Sequence, residues 1–386
     1  MMNNFKYISL SISTAFILSA CGGGSGGSES SLSSNVNTGI STDYSKYAWG
    51  INSNIDSTFK SKYSVSDNAH INITSAWSKS NKGKNIKVAV IDEDFQVTHP
   101  DIKDKIIATY NTQNGSSNVT NTNISDYSHG TAVAGIIASN SLGTAPNVDL
   151  ILINIDLSDS ITDTTSTLTS ADLVEAFAKA DELGAKVINC SWGGGVPSQN
   201  VQDEIKRLKD KNITVVFSSG NGDKNGKALD LDLVGNDDES ELSTVIGVGA
   251  SAADNDVAYY SNYGSAIDVI APGGGSNYIG TPMIGVPSLD LLGNEGANVG
   301  YNLINNDYSF TQGTSFAAPT TTGVVALMLA VNPTLTADRI RTILTTTTSK
   351  VGQSNGADYS VGNFDTKRAY GKIDASAAVQ QAEDDI

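Results

Sequence analysis

The sequence predicts an α/β protein of three layers, a mostly parallel central sheet with helices on both faces. Three observations carry this. Six short apolar runs recur from about residue 70 onward, helix-spaced stretches lie between some of them, and polar residues punctuate their ends. Continuous rather than alternating apolar runs mark strands buried on both sides, as in parallel sheets covered by helices.

Residues 1–20, MMNNFKYISLSISTAFILSA, carry one positive charge at Lys6, then an apolar stretch and small residues before Cys21. This is the pattern of an export signal rather than a core helix. The LSAC junction is similar to the lipobox of bacterial lipoproteins, which implies cleavage before Cys21 and lipid on that cysteine; its competitor is an ordinary signal peptide with a chance cysteine. GGGSGGSESSLSS follows as a flexible tether, so residues 21–68 read as lipidated Cys, tether and irregular polar arm. Gly22 stands where an aspartate would resemble an inner-membrane retention signal, which favours the outer membrane or cell surface. No other segment is expected to match the roughly 18 apolar residues of a spanning helix.

Residues 69–380 read as one folded domain and 381–386 as a tail. KVAVID (87–92), VDLILINI (148–155), AKVINCSW (185–192), ITVVFSSG (213–220), STVIGVGA (243–250) and AIDVIAP (266–272) are the predicted strands. SADLVEAFAKADELG and QNVQDEIKRLKDK carry helical spacing, with Gly184 as the stop for the first. SFTQGTSFAAPTTTGVVALMLA (309–330) sets Ser315 at the start of a buried helix, where a cap and a nucleophile fit equally. Gly323 and the alanines there let other backbone come close.

A chain of 386 residues suffices for a sizeable core. Its 24 Lys and Arg against 41 Asp and Glu give a formal charge of −17, which argues against a nucleic-acid partner and for a soluble surface. Cys190 is the one cysteine beyond Cys21, so the mature chain forms no intramolecular disulfide and Cys190 reads as a small buried thiol.

Ligands of open α/β sheets gather at the carboxyl ends of strands. Asp92 closes KVAVID, Ser191 follows VINC and Asn221 follows VVFSSG, so one crevice is expected to hold all three. His70, His99 and His129 are the histidines; His99 precedes a proline as a turn residue would, and His129 opens a helix of small residues. Serine attack needs a base within hydrogen-bond reach and a carboxylate to fix that base's tautomer. Asp92, His129 and Ser315 supply these in chain order, and Asn221 with the Ser315 N–H supplies donors for a developing oxyanion. Singly, Asp92 is also a strand-end cap, His129 a helix-start residue and Asn221 a turn former before Gly222.

The same residues lie in blocks that together resemble the subtilisin-type serine proteases, whose triad has this order. VAVIDEDFQVTHPDI resembles the aspartate block, SHGTAVAGIIA the histidine block, SSGN the oxyanion asparagine and GTSFAAP the serine block. VINCSWGGG resembles the strand that pairs with substrate backbone, which implies binding roles for Ser191, Trp192 and Gly193, although a tryptophan at a strand end is often core. The implied protein is a secreted, lipid-anchored, monomeric serine endopeptidase that cuts proteins or peptides through an acyl-enzyme. A catalytically lost binding or adhesion protein on the same scaffold, or an esterase or amidase, are the alternatives.

Two departures from the family pattern stand out. Glu93 and Asp94 replace the usual Thr-Gly after the aspartate, adding negative charge beside Asp92 that would raise the pKa of His129 and disfavour activity at mildly acidic pH. ASNSLGTAPN lacks the longer calcium-binding loop found there in many subtilisins, so no cofactor is certain, no metal ligand is assigned, and a structural calcium ion elsewhere stays open. DYSHGT, CSWG and SSGNG look closer to kexin-like members, which cleave after basic residues. SWGGGVPS carries none of their pocket carboxylates; Asp230 and Asp232 either reach that pocket from its other wall or form a solvated acidic loop.

Overall fold

The computed structural model describes residues 43–120, 129–157, 168–193, 195–223, 225–276 and 284–386. The expected signal, Cys21 and the glycine-rich tether lie outside the described residues. After a single helical turn at Ser45–Tyr47 come α1 (Ser57–Lys62), α2 (Ile73–Ser80), β1 (Lys87–Asp92), β2 (Ile106–Asn111) and α3 (His129–Ala138). Next follow β3 (Asp149–Asn154), α4 (Ser170–Glu182), β4 (Val187–Cys190), α5 (Gln199–Asp210), β5 (Thr214–Ser218) and β6 (Ile246–Ser251). The chain closes with β7 (Val269–Pro272), β8 (Val286–Leu289), β9 (Tyr308–Thr311), α6 (Thr314–Val331), α7 (Ala337–Thr346) and α8 (Ala375–Asp384).

Among the described residues seven strands form one sheet in the order β2-β3-β1-β4-β5-β6-β7, and every neighbouring pair is parallel. The alternation of side chains along a strand serves two cores at once. In β1, Val88 and Val90 join the larger core with α2, α3, α6 and α8, whereas Ala89 and Ile91 join the smaller one under α4 and α5. Neither face reaches water, which is why these strands carry no polar alternation. β3 and β4 flank β1 on opposite sides, so the chain changes direction across the sheet there and opens a crevice beyond Asp92.

α6 runs through the larger core. It is 18 residues long with a mean hydropathy of 1.5, long and apolar enough to cross a membrane, but 83% of it is buried inside the protein. The expectation that only the N-terminal segment has this character is therefore corrected, and burial by α2, α3 and α8 makes α6 a core helix. Gly323 sits where a Cβ would lie 2.5 Å from Thr144 Cβ, the close approach that the small residues of this helix permit.

Several features differ from the sequence reading. The segment from Asp43 to 68, expected as an irregular arm, packs into the core: Trp49 is 1% and Phe59 2% exposed, and Trp49 Nε1 donates to Gly285 O at 2.8 Å. α8 runs through 384, so most of the expected tail is helix. The edge strand β2 and the antiparallel pair β8 and β9 were not predicted.

Candidate active site

The carboxyl end of β1 places Asp92 fully buried beside the start of α3. Asp92 Oδ1 accepts from His129 Nδ1 at 2.7 Å and from the Glu93 N–H at 2.8 Å, while Oδ2 is buried with no partner among the described residues. Gly130 explains how the helix reaches this spot. Its N–H donates to Glu93 O at 2.9 Å, and a Cβ there would come within 2.4 Å of that same oxygen, so only glycine lets α3 start so close to the loop after Asp92. Thr131 Oγ1 accepts from the Gln96 N–H at 2.8 Å and fixes the loop from its far side.

His129 is the histidine that meets Asp92. His99 is buried, with Nε2 3.1 Å from Asp307 O, and His70 Nδ1 accepts from the Asn72 N–H. Burial pulls the His129 pKa down, but the charge and hydrogen bond of Asp92, followed by the charge of Glu93, outweigh it and the net shift is upward. Burial pushes Glu93 itself up to about 7. A base that must be neutral to act loses activity as it gains its proton, so a raised pKa moves the acid limb of kcat/KM to higher pH. Glu93→Gln removes one raising charge and is expected to move that limb to lower pH; an unmoved limb in a pH profile contradicts this coupling.

Ser315 is the second residue of α6, and the His129 ring lies 5.6 Å, centroid to centroid, from Phe316 beside it. Its Oγ donates to Ser191 O at 3.0 Å, and Ser191 Oγ returns a bond to Ser315 O at 2.7 Å. The second bond has a cause in the sequence. Pro319 has no N–H to give the carbonyl four residues back, and Ser191 supplies the missing donor. Asn189 Nδ2 donates to Ser191 Oγ at 2.9 Å, and Thr322 Oγ1 donates to Asn189 Oδ1 at 2.9 Å, tying α6 to β4 by a buried network.

Asn221 sits between Gly220 and Gly222, whose φ of +89° and +87° take up the left-handed turn while Asn221 keeps a negative φ. The turn-former reading of Asn221 therefore loses its conformational basis. Asn221 Oδ1 accepts from the Thr314 N–H at 2.8 Å and from Thr314 Oγ1 at 2.9 Å, so the amide orientation is fixed. Its Nδ2 and the Ser315 N–H donate to no protein group among the described residues. Asn262 holds the loop in place, its Oδ1 accepting from the Gly222 and Leu229 N–H groups at 2.9 Å each.

The other expected positions divide. Trp192 is 4% exposed, donates from Nε1 to Ile91 O at 2.8 Å and packs edge-on to Phe217 at 5.1 Å, so any contribution to substrate binding comes from its backbone. Gly193 follows it at the rim. Asp232 is engaged by Ser265, whose N–H and Oγ both donate to it, and the Asp230 backbone bridges to Tyr263. Instead of these two, Asp238 and Glu239 approach Gly193; the run GNDDESELS gave no periodic signal that would have marked them. Cys190 is fully buried and its thiol pKa is raised, chiefly by burial, so it is unreactive. Among the described residues no group of three or more His, Cys, Asp or Glu could hold a metal ion, so no donor set for the family's calcium is identified.

This arrangement places the chain among known proteins. The subtilase family model matches residues 83–363, and the chain belongs to that family. It is a serine endopeptidase. Subtilisin DY of Bacillus licheniformis is 30% identical over 278 residues, covering 71% of this chain and 87% of the relative. A calcium-dependent protease of Trichormus variabilis is 29% identical over 82% of this chain, which spans only 49% of that relative's length. A protease of Pseudoalteromonas arctica superimposes with a TM-score of 0.63 at 26% identity, over 81% of this chain and 94% of the other.

Proposed function

We propose that this subtilase hydrolyses peptide bonds through an acyl-enzyme, with Ser315 as nucleophile, His129 as base and acid, and Asp92 holding His129. Ser315 Oγ turns from Ser191 O to His129 Nε2 and attacks the substrate carbonyl, and His129 takes the Oγ proton as the bond forms. Asp92 keeps the proton on Nδ1 and stabilises the imidazolium that results. Negative charge on the carbonyl oxygen falls to Asn221 Nδ2 and the Ser315 N–H. Collapse expels the amine, which receives its proton from His129, and water repeats the sequence on the acyl-enzyme.

The observation that carries this reading is the fixed amide of Asn221. Thr314 consumes its oxygen, and its two N–H donors are left beside an unengaged helix-start N–H. A binding or adhesion protein would have no use for that pairing, and all four positions hold competent residue types. Incubating the purified protein with an unbiased peptide library tests it: internal cleavage is expected, whereas ester hydrolysis alone would favour the esterase reading.

Export and anchoring belong to the same proposal: residues 1–20 as signal, Cys21 as the lipid site, and an outer-membrane or cell-surface position for a monomer acting on proteins or peptides. α6 is spent on the core, and Cys21 is the attachment point this proposal names. Cys21→Ser is expected to abolish palmitate labelling and release the protein from the membrane fraction, or leave its signal uncleaved. Retained label with unchanged fractionation contradicts the anchor.

A further inference from the structure

The hairpin of β8 and β9 stands between the parts of the catalytic site. β9 ends at Thr311, and the chain then runs directly into α6 and Ser315. On the other side, Ser288 Oγ donates to Ala132 O at 2.6 Å and a Cβ on Gly135 would lie 2.5 Å from Leu289 Cγ, so β8 lies against the helix that opens with His129. The loop between the strands reaches the chain beyond Asp92, where the Leu292 N–H donates to Gln96 Oε1 at 2.8 Å and His99 Nε2 lies 3.1 Å from Asp307 O. One hairpin therefore touches the element that carries each member of the triad.

Two short paired strands have little stability of their own and take their position from what packs on them. Here the N-terminal arm does so. Trp49 is buried and its Nε1 donates to Gly285 O at 2.8 Å. Gly285 passes that position on without slack, since a Cβ there would come within 2.4 Å of Thr311 O. A Cβ on Gly50 would lie 2.7 Å from Pro272 Cβ and 3.5 Å from Val286 Cγ1, so the arm is wedged between the end of β7 and the start of β8. Tyr44 stands edge-on to Tyr308 at 4.9 Å, its Oη accepts from the Asn305 N–H at 3.0 Å, and Phe59 stacks with Phe310 at 6.0 Å. The far end of the arm is pinned in turn: the Ser66 N–H donates to Ala253 O at 2.8 Å, and the buried Lys372 Nζ donates to Asn68 O.

We propose that the arm is a brace of the catalytic site that stays with the mature enzyme, and that Trp49 is a positioning residue acting through β8 and β9 to hold Ser315 in reach of His129. The assignment rests on the acyl-enzyme reading above. Trp49 bonds to Gly285 and to no residue of the triad or the oxyanion site, so its effect falls on the geometry of attack. A small misplacement of a nucleophile costs far more in rate than in binding.

Trp49→Ala and Trp49→Phe test this, with kcat, KM, fluorophosphonate labelling rate and melting temperature measured on the same preparations and kinetics run well below each melting range. Trp49→Ala is expected to lower kcat at least about tenfold with KM scarcely changed, and labelling should slow in parallel. Trp49→Phe keeps a ring but drops the bond to Gly285 and should fall between it and wild type; if the alanine variant does not fold, the phenylalanine variant decides alone. Leu344→Ala, a buried truncation on α7, is expected to melt lower with kcat unchanged. Trp49 variants that melt lower yet keep wild-type kcat and labelling overturn the proposal, as does a Leu344→Ala variant that loses kcat equally. So does a mass spectrum showing a fully active chain that has lost residues 43–68. Wild-type protein that neither cleaves peptides nor takes the probe overturns the peptidase reading itself, and this assignment with it.

Discussion

Ser315→Ala or His129→Ala lowers peptide turnover on the order of 10⁶-fold, and combining them costs little more, the behaviour of a subtilisin that loses either residue. The geometry of this site adds a difference in stability between the two variants. Ser315 is partly exposed and its hydroxyl makes a single bond to Ser191 O, so its loss leaves the fold and the melting temperature close to wild type. Asp92 is fully buried, and losing His129 strips its carboxylate of one of the two bonds that Oδ1 accepts. His129→Ala is therefore expected to melt lower than Ser315→Ala although both are inactive. Kinetics and thermal unfolding on the same preparations check both halves.

Asn221→Asp and Asn221→Leu separate the two ends of one amide. Either removes the donor to the oxyanion, so turnover falls by about 10² to 10³, or 2.7 to 4 kcal/mol, the range known from a subtilisin, with KM scarcely changed. Aspartate adds a like charge and belongs at or beyond the upper end. The two differ in what happens to Thr314. Aspartate keeps an acceptor for its buried N–H, whereas leucine leaves that donor unsatisfied at a cost of about 1–3 kcal/mol. Only the leucine variant is expected to melt lower. Full turnover in either would remove Asn221 from the oxyanion site.

Six of the seven strands of the main sheet were legible because burial on both faces leaves an unbroken apolar run, as in Ile151, Leu152 and Ile153. β2 escaped notice because it lies at the sheet edge, with Ile107 48% exposed and polar residues among the rest. β8 and β9 are four residues each, broken by Pro287, Ser288 and Ser309, too short and too mixed for a local pattern, and β8 packs on α3, a contact distant in sequence. The packed arm was hidden by its many Ser and Asn residues, since single large side chains such as Trp49 and Phe59 anchor it without any period. At the site, residue types and chain order exposed the four polar groups. The reciprocal bonds between Ser191 and Ser315 needed the structure, although Pro319 four residues beyond Ser315 was their visible trace.

The central claim is that Ser315 Oγ is a nucleophile activated by His129, and covalent trapping tests it most directly. A fluorophosphonate probe is expected to add one equivalent to the wild-type protein, with peptide mass spectrometry placing the adduct on Ser315. No adduct should form with Ser315→Ala, and labelling should be strongly slowed in His129→Ala. Labelling on another residue, or labelling that proceeds at the wild-type rate without His129, would contradict this mechanism.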